Sequence, residues 1–156
     1  MPIKKSLYIS RPVLNTKEIV KWAKKSGFET INYPETLHLT VIFCKEKQDW
    51  HRVPFEADCV LEIEGGERSV EQFDGGATVL RLESEVLTFR WEMLVGFGIP
   101  TKFDDYKPHI TITYNCPEGL DVSKIEPFKG AIILGPEEVD EANDRWEKEH
   151  KEMKLS

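Results

Sequence analysis

Leu37–Ile42, which reads LHLTVI, and Pro108–Thr113, which reads PHITIT, are the two stretches that decide the fold of this chain. Each carries a His-x-Thr triplet in the β-branched, apolar surroundings that are typical of a strand. Residues two apart in a strand project from the same face, so each triplet presents an imidazole beside a hydroxyl, while Leu39 or Ile110 points into a core. If the two strands are neighbours, four polar groups converge: His38, Thr40, His109 and Thr111.

These four polar groups predict a ligand, because such a patch on an apolar sheet is costly unless something hydrogen-bonds to it. Imidazole has an ordinary pKa of about 6.5, so one histidine can accept a proton while the other, protonated, donates one. Threonine hydroxyls can donate hydrogen bonds to phosphate oxygens. The pattern therefore favours cleavage of a phosphodiester by a vicinal 2′-hydroxyl, with one imidazole as base and the other protonating the leaving 5′-oxygen. The residues do not say which histidine is the base.

Two other interpretations of the histidines stay open. A single histidine on an apolar strand is commonly a satisfied core or edge residue, although a repeat in matching surroundings favours function. A zinc site could be assembled from His38, His109, Cys116 and carboxylates, but no HExxH or CxxC spacing supports it. We therefore predict neither a metal nor a cofactor. His51 and His150 lie in polar segments without such a partner, and we interpret both as surface residues.

The composition limits the class of partner. The 156 residues carry 21 Lys and Arg against 28 Asp and Glu, a formal net charge of −7. Such a surface repels long nucleic acid and anionic membranes, but leaves room for a small anionic substrate in a locally positive pocket. Three cysteines without a CxxC spacing favour a reducing cytoplasm, and we expect no signal peptide or membrane span. The length predicts one domain over residues 1–156.

Two helices are predicted. Asn15 and Glu18 have the spacing of a capping box, before a helix over residues 16–26 that Gly27 ends in a left-handed conformation. The second helix covers residues 84–95, and glycines and a proline end it.

Strands outnumber helices, and glycine pairs between them predict hairpins, so the fold class is α+β with antiparallel sheets and flanking helices. Trp22 and Trp91 lie at apolar helical spacing and are predicted to be core residues. The charged tail after Gly135 has helical propensity but no apolar stripe. The predicted strands cover residues 6–9, 37–43, 59–63, 69–73, 77–82, 109–114 and 131–134, the last of the chain.

The paired H-x-T motifs resemble those of the two-histidine phosphoesterase superfamily, and Lys107–Thr111 is typical of its second motif. The resemblance implies a single domain of two pseudo-symmetric α+β lobes, with the motifs on central strands. It also implies hydrolysis of phosphodiesters without a metal. His38 and His109 would then be the catalytic pair, and Thr40 and Thr111 would hold the phosphate.

Within that superfamily the chain most resembles the phage anti-CBASS nucleases, which degrade the cyclic di- and trinucleotide signals of bacterial immunity. The resemblance covers most of the chain, including Leu7–Ile9, Asn15–Glu18, Tyr33–Glu35, Gly135–Glu137 and a tail tryptophan.

This resemblance adds three substrate-binding residues to the site. Tyr8 would lie near the pocket, and Trp146 would stack on a base. A tail carboxylate would orient the ligand or the attacking hydroxyl, and we choose Glu141 for it among its acidic neighbours Glu137, Glu138 and Asp140.

The leading hypothesis is therefore a phosphodiesterase that opens cyclic di- and trinucleotides in the cytoplasm of an infected bacterial host. One alternative is a two-histidine enzyme that acts on linear RNA ends or 2′,5′-oligoadenylate. Another is a sponge that binds a nucleotide signal without cutting it. A homo-oligomer, in which a neighbouring subunit lends an aromatic side chain, also stays open.

Overall fold

The structure, a computed structural model, describes residues 4–73, 75–101, 105–142 and 151–155. Its elements within these residues are β1 (Lys4–Pro12), α1 (Thr16–Ser26), β2 (Thr30–Asn32), β3 (His38–Asp49), β4 (Leu61–Ile63), β5 (Arg68–Gln72), β6 (Thr78–Leu82), α2 (Glu85–Gly96), β7 (His109–Thr113), β8 (Ile132–Leu134), β9 (Glu138–Asp140) and β10 (Glu152–Lys154).

Six of these strands form one sheet, in the order β5-β6-β7-β3-β1-β9. Neighbouring strands in it run antiparallel. Two small antiparallel sheets, β4 with β8 and β2 with β10, lie outside it. The strands β3 and β7 meet at the centre of the large sheet, with two further strands beyond each of them. The predicted α+β class is confirmed, and each H-x-T motif starts one of the two central strands.

The core lies on the face of the sheet away from the motif side chains. Leu39 and Ile110 are fully buried there, in a cluster with Ile19 and Ala23 of α1 and Leu87 of α2. A second cluster joins residues of β1 and β3 to the end of α2. Alternation along β3 and β7 thus buries the central side chain of each triplet and leaves the flanking histidine and threonine on the other face.

Both predicted helices are confirmed, but the capping box is wrong. Asn15 makes no cap hydrogen bond to the helix. Its side chain instead bridges to the segment of β8: Nδ2 donates to the carbonyl of Ala131 at 2.7 Å, and Oδ1 accepts from the backbone N–H of Ile133 at 3.0 Å. Gly27 ends α1 with a φ of 102°, as predicted.

The prediction that the strand over residues 131–134 is the last of the chain is also wrong. The strand β8 is not the last, because β9 pairs with Tyr8–Ser10 and β10 pairs with β2. The carboxylate of Glu152 accepts hydrogen bonds from the hydroxyls of Thr30 and Thr113, which ties β10 to two other strands. Tertiary pairing therefore overrides helical propensity here. Among the described residues, no helix is long and apolar enough to cross a membrane.

Candidate active site

The register of β3 and β7 brings the two motifs together. Leu39 pairs with Ile110 in an antiparallel ladder. On the opposite face, the same register sets His38 across from Thr111, and Thr40 across from His109. The two triplets are thus related by a local twofold axis between the strands. Each imidazole lies beside two hydroxyls, one on its own strand and one on its neighbour.

Both imidazole rings are held in the same way. Nδ1 of His38 lies 2.8 Å from the carbonyl oxygen of Thr36, and Nδ1 of His109 lies 2.8 Å from that of Lys107. A carbonyl oxygen can only accept, so Nδ1 carries the proton in both rings. In the neutral ring this leaves the lone pair on Nε2, the nitrogen that the site can use. The two histidines are therefore alike in tautomer as well as in position.

His109 differs from His38 in its surroundings. The ring of Phe73 meets it edge to face, with 4.7 Å between ring centroids. Burial lowers the pKa of His109, and the nearby charges of His38 and Arg81 act in the same direction, while the hydrogen bond to the Lys107 carbonyl opposes them. The lowered pKa favours neutral, proton-accepting His109 near neutral pH.

Thr40 has a tyrosine partner at its hydroxyl and another at its backbone carbonyl. Its hydroxyl lies 2.9 Å from that of Tyr8, and its backbone carbonyl accepts a hydrogen bond from the hydroxyl of Tyr106 at 2.6 Å. Burial raises the pKa of Tyr8 and of Tyr106, so both phenols stay protonated and can donate. The structure thus places Tyr8 beside Thr40, with its ring 6.2 Å from that of His38.

A cavity of about 270 Å³ opens beside His38. Tyr8 and Glu141 both line it, as do Glu138 and Asp140. Glu141 also lies 3.8 Å from the ammonium of Lys5. Glu137, which the sequence left as an alternative to Glu141, is instead buried in the core and does not line this cavity.

A larger cavity of about 610 Å³ opens beside His109. Its wall is rich in aromatic side chains, namely Phe43, Phe73, Trp91 and Tyr106. As predicted, Trp91 packs against the core, in the cluster that joins β1 and β3 to the end of α2. It is half-buried, and it stacks on Tyr106 with 5.7 Å between centroids and an interplanar angle of 9°.

Sequence reasoning missed the aromatic residues of this second cavity. Tyr106 lies three residues before His109, and Phe73 follows the end of β5, so neither shares a local pattern with a motif. The signal that could have found this cavity is weak: Tyr106 is an aromatic residue three positions before the second H-x-T triplet. Trp22 does pack against the core, and His51 is exposed, as predicted.

Trp146 and His150 lie outside the described residues. Within the part of the chain that the structure describes, no group of three or more His, Cys, Asp or Glu side chains is placed to hold a metal ion.

The class of fold follows from this sheet and from comparison with solved structures. A crystal structure of E. coli LigT complexed with 3′-AMP aligns with a TM-score of 0.61 over 98% of this chain and 95% of that chain, at 16% sequence identity. The fold is therefore that of the two-histidine phosphoesterases, with the paired motifs on its two central strands.

The family follows from the sequence comparisons. The model of the family described as "Anti-CBASS protein Acb1" matches residues 5–149. An anti-CBASS protein Acb1 of Sphingomonas paeninsulae is 37% identical over 147 residues, and one of Enterobacteria phage T4 is 33% identical over 106 residues. The chain belongs to the Acb1 family of anti-CBASS proteins. It spans 23% of the Sphingomonas protein and 68% of the T4 protein, while the alignments cover 90% and 61% of this chain.

Proposed function

We propose that this chain is an anti-CBASS phosphodiesterase that opens cyclic di- and trinucleotide immune signals by metal-independent, two-histidine acid/base catalysis. The attacking nucleophile is the 2′-hydroxyl beside the scissile phosphate. His38 and His109 are the catalytic pair, Thr40 and Thr111 hold the phosphate, and Tyr8, Glu141 and Trp146 contribute to substrate binding. The single phosphoesterase domain acts in the cytoplasm of the infected bacterial host.

One observation carries the proposal. Two imidazoles with Nδ1 protonated and Nε2 left for the site stand across a β-ladder, each beside a threonine of the other strand. Cleavage of a phosphodiester needs such a pair of imidazoles, because one proton must leave the nucleophile while another reaches the leaving oxygen. The hydroxyls between them are donors for the phosphoryl oxygens that gain charge in the transition state.

The reaction then proceeds in two steps, ring opening and hydrolysis. In the first, neutral His109 takes the proton of the 2′-hydroxyl, the 2′-oxygen bonds to phosphorus, and the bond from phosphorus to the 5′-oxygen breaks. Protonated His38 gives its proton to that leaving oxygen, so the ring opens with a 2′,3′-cyclic phosphate. In the second step water attacks that phosphate and its bond to the 2′-oxygen breaks. The roles of the histidines exchange, and each regains its starting protonation state.

The two cavities support a substrate with a nucleoside on each side of the phosphate. One lies beside each histidine, with aromatic walls that suit stacking on a base. Membership of the anti-CBASS family and a fold shared with LigT, which has been crystallised with 3′-AMP, favour a nucleotide ligand. A net charge of −7 disfavours a long polyanion.

Product analysis on a panel of substrates tests this function. The purified protein is incubated, with and without EDTA, with 3′,3′-cyclic dinucleotides, cyclic trinucleotides, linear oligonucleotides and 2′,5′-oligoadenylate. We expect linear products with a cyclic or terminal phosphate from the cyclic substrates. A substrate with 2′-deoxyribose at the attacking position serves as the matched control and should resist cleavage.

Four outcomes would contradict the proposal in different ways. Intact cyclic nucleotides after long incubation would refute the activity. Loss of turnover on chelation would show that a metal takes part. Equal rates with and without the 2′-hydroxyl would refute the nucleophile. Cleavage of linear 2′,5′-linked substrates alone would move the function to that alternative.

A further inference from the structure

Arg90 and Glu137 form a buried ion pair behind the candidate site. Both residues are only 5% exposed, and Arg11 beside them is 2% exposed. Sequence reasoning did not single out this cluster. Burying a charge is costly unless it is paired and hydrogen-bonded, so the partners of such a group are held in a defined geometry.

The contact between the two side chains is bidentate. Nε of Arg90 donates to Oε2 of Glu137 at 2.8 Å, and Nη2 donates to Oε1 at 2.8 Å. Two parallel bonds fix the orientation of the partners as well as their separation. Oε1 of Glu137 also accepts from the backbone N–H of Glu56 at 3.0 Å, and the Glu56 carboxylate accepts from Arg11 at 2.5 Å. The pair is thus embedded in a network that reaches β1.

The neighbours of this pair along the chain are walls of the two cavities. Arg90 precedes Trp91, which stacks on Tyr106 and lines the cavity beside His109. Glu137 precedes β9, whose residues Glu138 and Asp140 line the cavity beside His38. The strand β9 is an edge strand that pairs with β1 at only three positions. The Arg90–Glu137 ion pair therefore joins the helix behind one cavity to the strand beside the other.

We propose that Arg90 and Glu137 are positioning residues, whose ion pair sets the placement of α2 and β9 and hence of the substrate-binding walls of both cavities. This inference rests on the proposed function, because it assumes that the cavities bind the substrate. The histidines are placed independently, by the β3–β7 ladder and by the bonds from their Nδ1 atoms to backbone carbonyls. Loss of the pair therefore weakens substrate binding more than it slows the chemical step.

A double variant, Arg90→Met with Glu137→Leu, tests the proposal. It replaces the pair by apolar side chains and leaves neither partner as an unpaired buried charge, a replacement that proteins commonly tolerate. The matched control is Lys129→Gln with Glu126→Gln, which removes an ion pair of 2.6 Å whose side chains are 70% and 80% exposed. We measure hydrogen exchange at the amides of Glu138–Asp140, Kd for a cyclic dinucleotide with 2′-deoxyribose, and KM and kcat for the cleavable form.

We expect faster exchange at β9, together with a rise of about ten-fold in Kd and KM and a smaller change in kcat, because misplaced binding groups act mainly on substrate positioning. The control should match the wild type. Wild-type exchange and Kd in a folded double variant would overturn the proposal and leave the pair a stability element. A fall in kcat at unchanged KM would also overturn it.

Two further arms keep the test decisive. If the double variant does not fold, Arg90→Lys retains the charge but loses the bidentate geometry, and it should show the same changes in exchange and Kd. If the wild type neither binds nor cleaves any cyclic nucleotide, the proposed function fails by itself. Hydrogen exchange at β9 then still shows whether the Arg90–Glu137 pair holds this strand in place, because that measurement needs no substrate.

Discussion

Substitution of either histidine by alanine is the most direct test of the chemistry. A positioned general acid or base contributes roughly 10²–10⁴-fold to the rate, which corresponds to about 2.7–5.4 kcal/mol in the barrier. The expected cost to folding is smaller. His38 is half-buried, and its ring nitrogen bonds to the carbonyl of exposed Thr36, so removing the ring should cost about 1 kcal/mol of unfolding free energy. Loss of activity and loss of stability are therefore separable.

The assay compares kcat/KM of His38→Ala, His109→Ala and the double variant on a cyclic dinucleotide, with thermal unfolding measured in parallel. The double variant should lose about as much activity as either single variant, because both groups serve one proton-transfer cycle. His51→Ala, which removes an exposed histidine elsewhere, is the matched control and should keep wild-type activity. Activity of His38→Ala within ten-fold of the wild type would refute the assigned role. If the double variant still neutralised the immune signal as fully as the wild type, the protein would be a sponge that binds the signal without cutting it.

Three further predictions concern the neighbours of the histidines. Thr111→Val keeps the shape of the side chain but removes a phosphate donor, so kcat should fall by about 10²-fold in the same assay, and an unchanged kcat would exclude the hydroxyl from the transition state. Arg81→Gln removes a charge that lowers the pKa of His109, so that pKa should rise and the acid limb of the kcat/KM profile should move to higher pH. The exposed Arg52→Gln serves as its control, and a fixed or oppositely shifted limb would contradict His109 as the base. Phe73→Ala removes a wall of the larger cavity, and KM should rise by about ten-fold if a base stacks there, whereas an unchanged KM would remove the base from this cavity.

The central part of the site could be predicted because its signal is local. A period of two within a strand decides which side chains share a face, so LHLTVI and PHITIT each define a polar pair and a buried centre. The structure confirms that Leu39 and Ile110 are buried and that their strands are neighbours. Nothing in either stretch specifies the neighbouring strand, and the repeat itself was the evidence for pairing.

The second cavity and the edge strand β9 could not be predicted, because distant contacts determine them. Trp91 has the helical spacing of a core residue and packs against the core, but its stacking partner Tyr106 comes from a different segment. Asn15 has the spacing of a cap, yet the backbone of β8 uses its amide. In both cases a polar or aromatic group met a tertiary partner that local propensity does not contain.

The repeat also explains how one site can serve both steps of the proposed reaction. Ring opening moves a proton from the 2′-oxygen to one imidazole and from the other imidazole to the 5′-oxygen, so it leaves the two histidines with their protonation states exchanged. Hydrolysis of the cyclic phosphate needs the reverse assignment. A site with one fixed base and one fixed acid would have to reset through solvent between the steps. Two imidazoles with the same tautomer, each between two threonines across a twofold-related ladder, need no reset. The matching tautomers of the two H-x-T histidines therefore suit the proposed two-step hydrolysis, in which each imidazole acts once as acid and once as base.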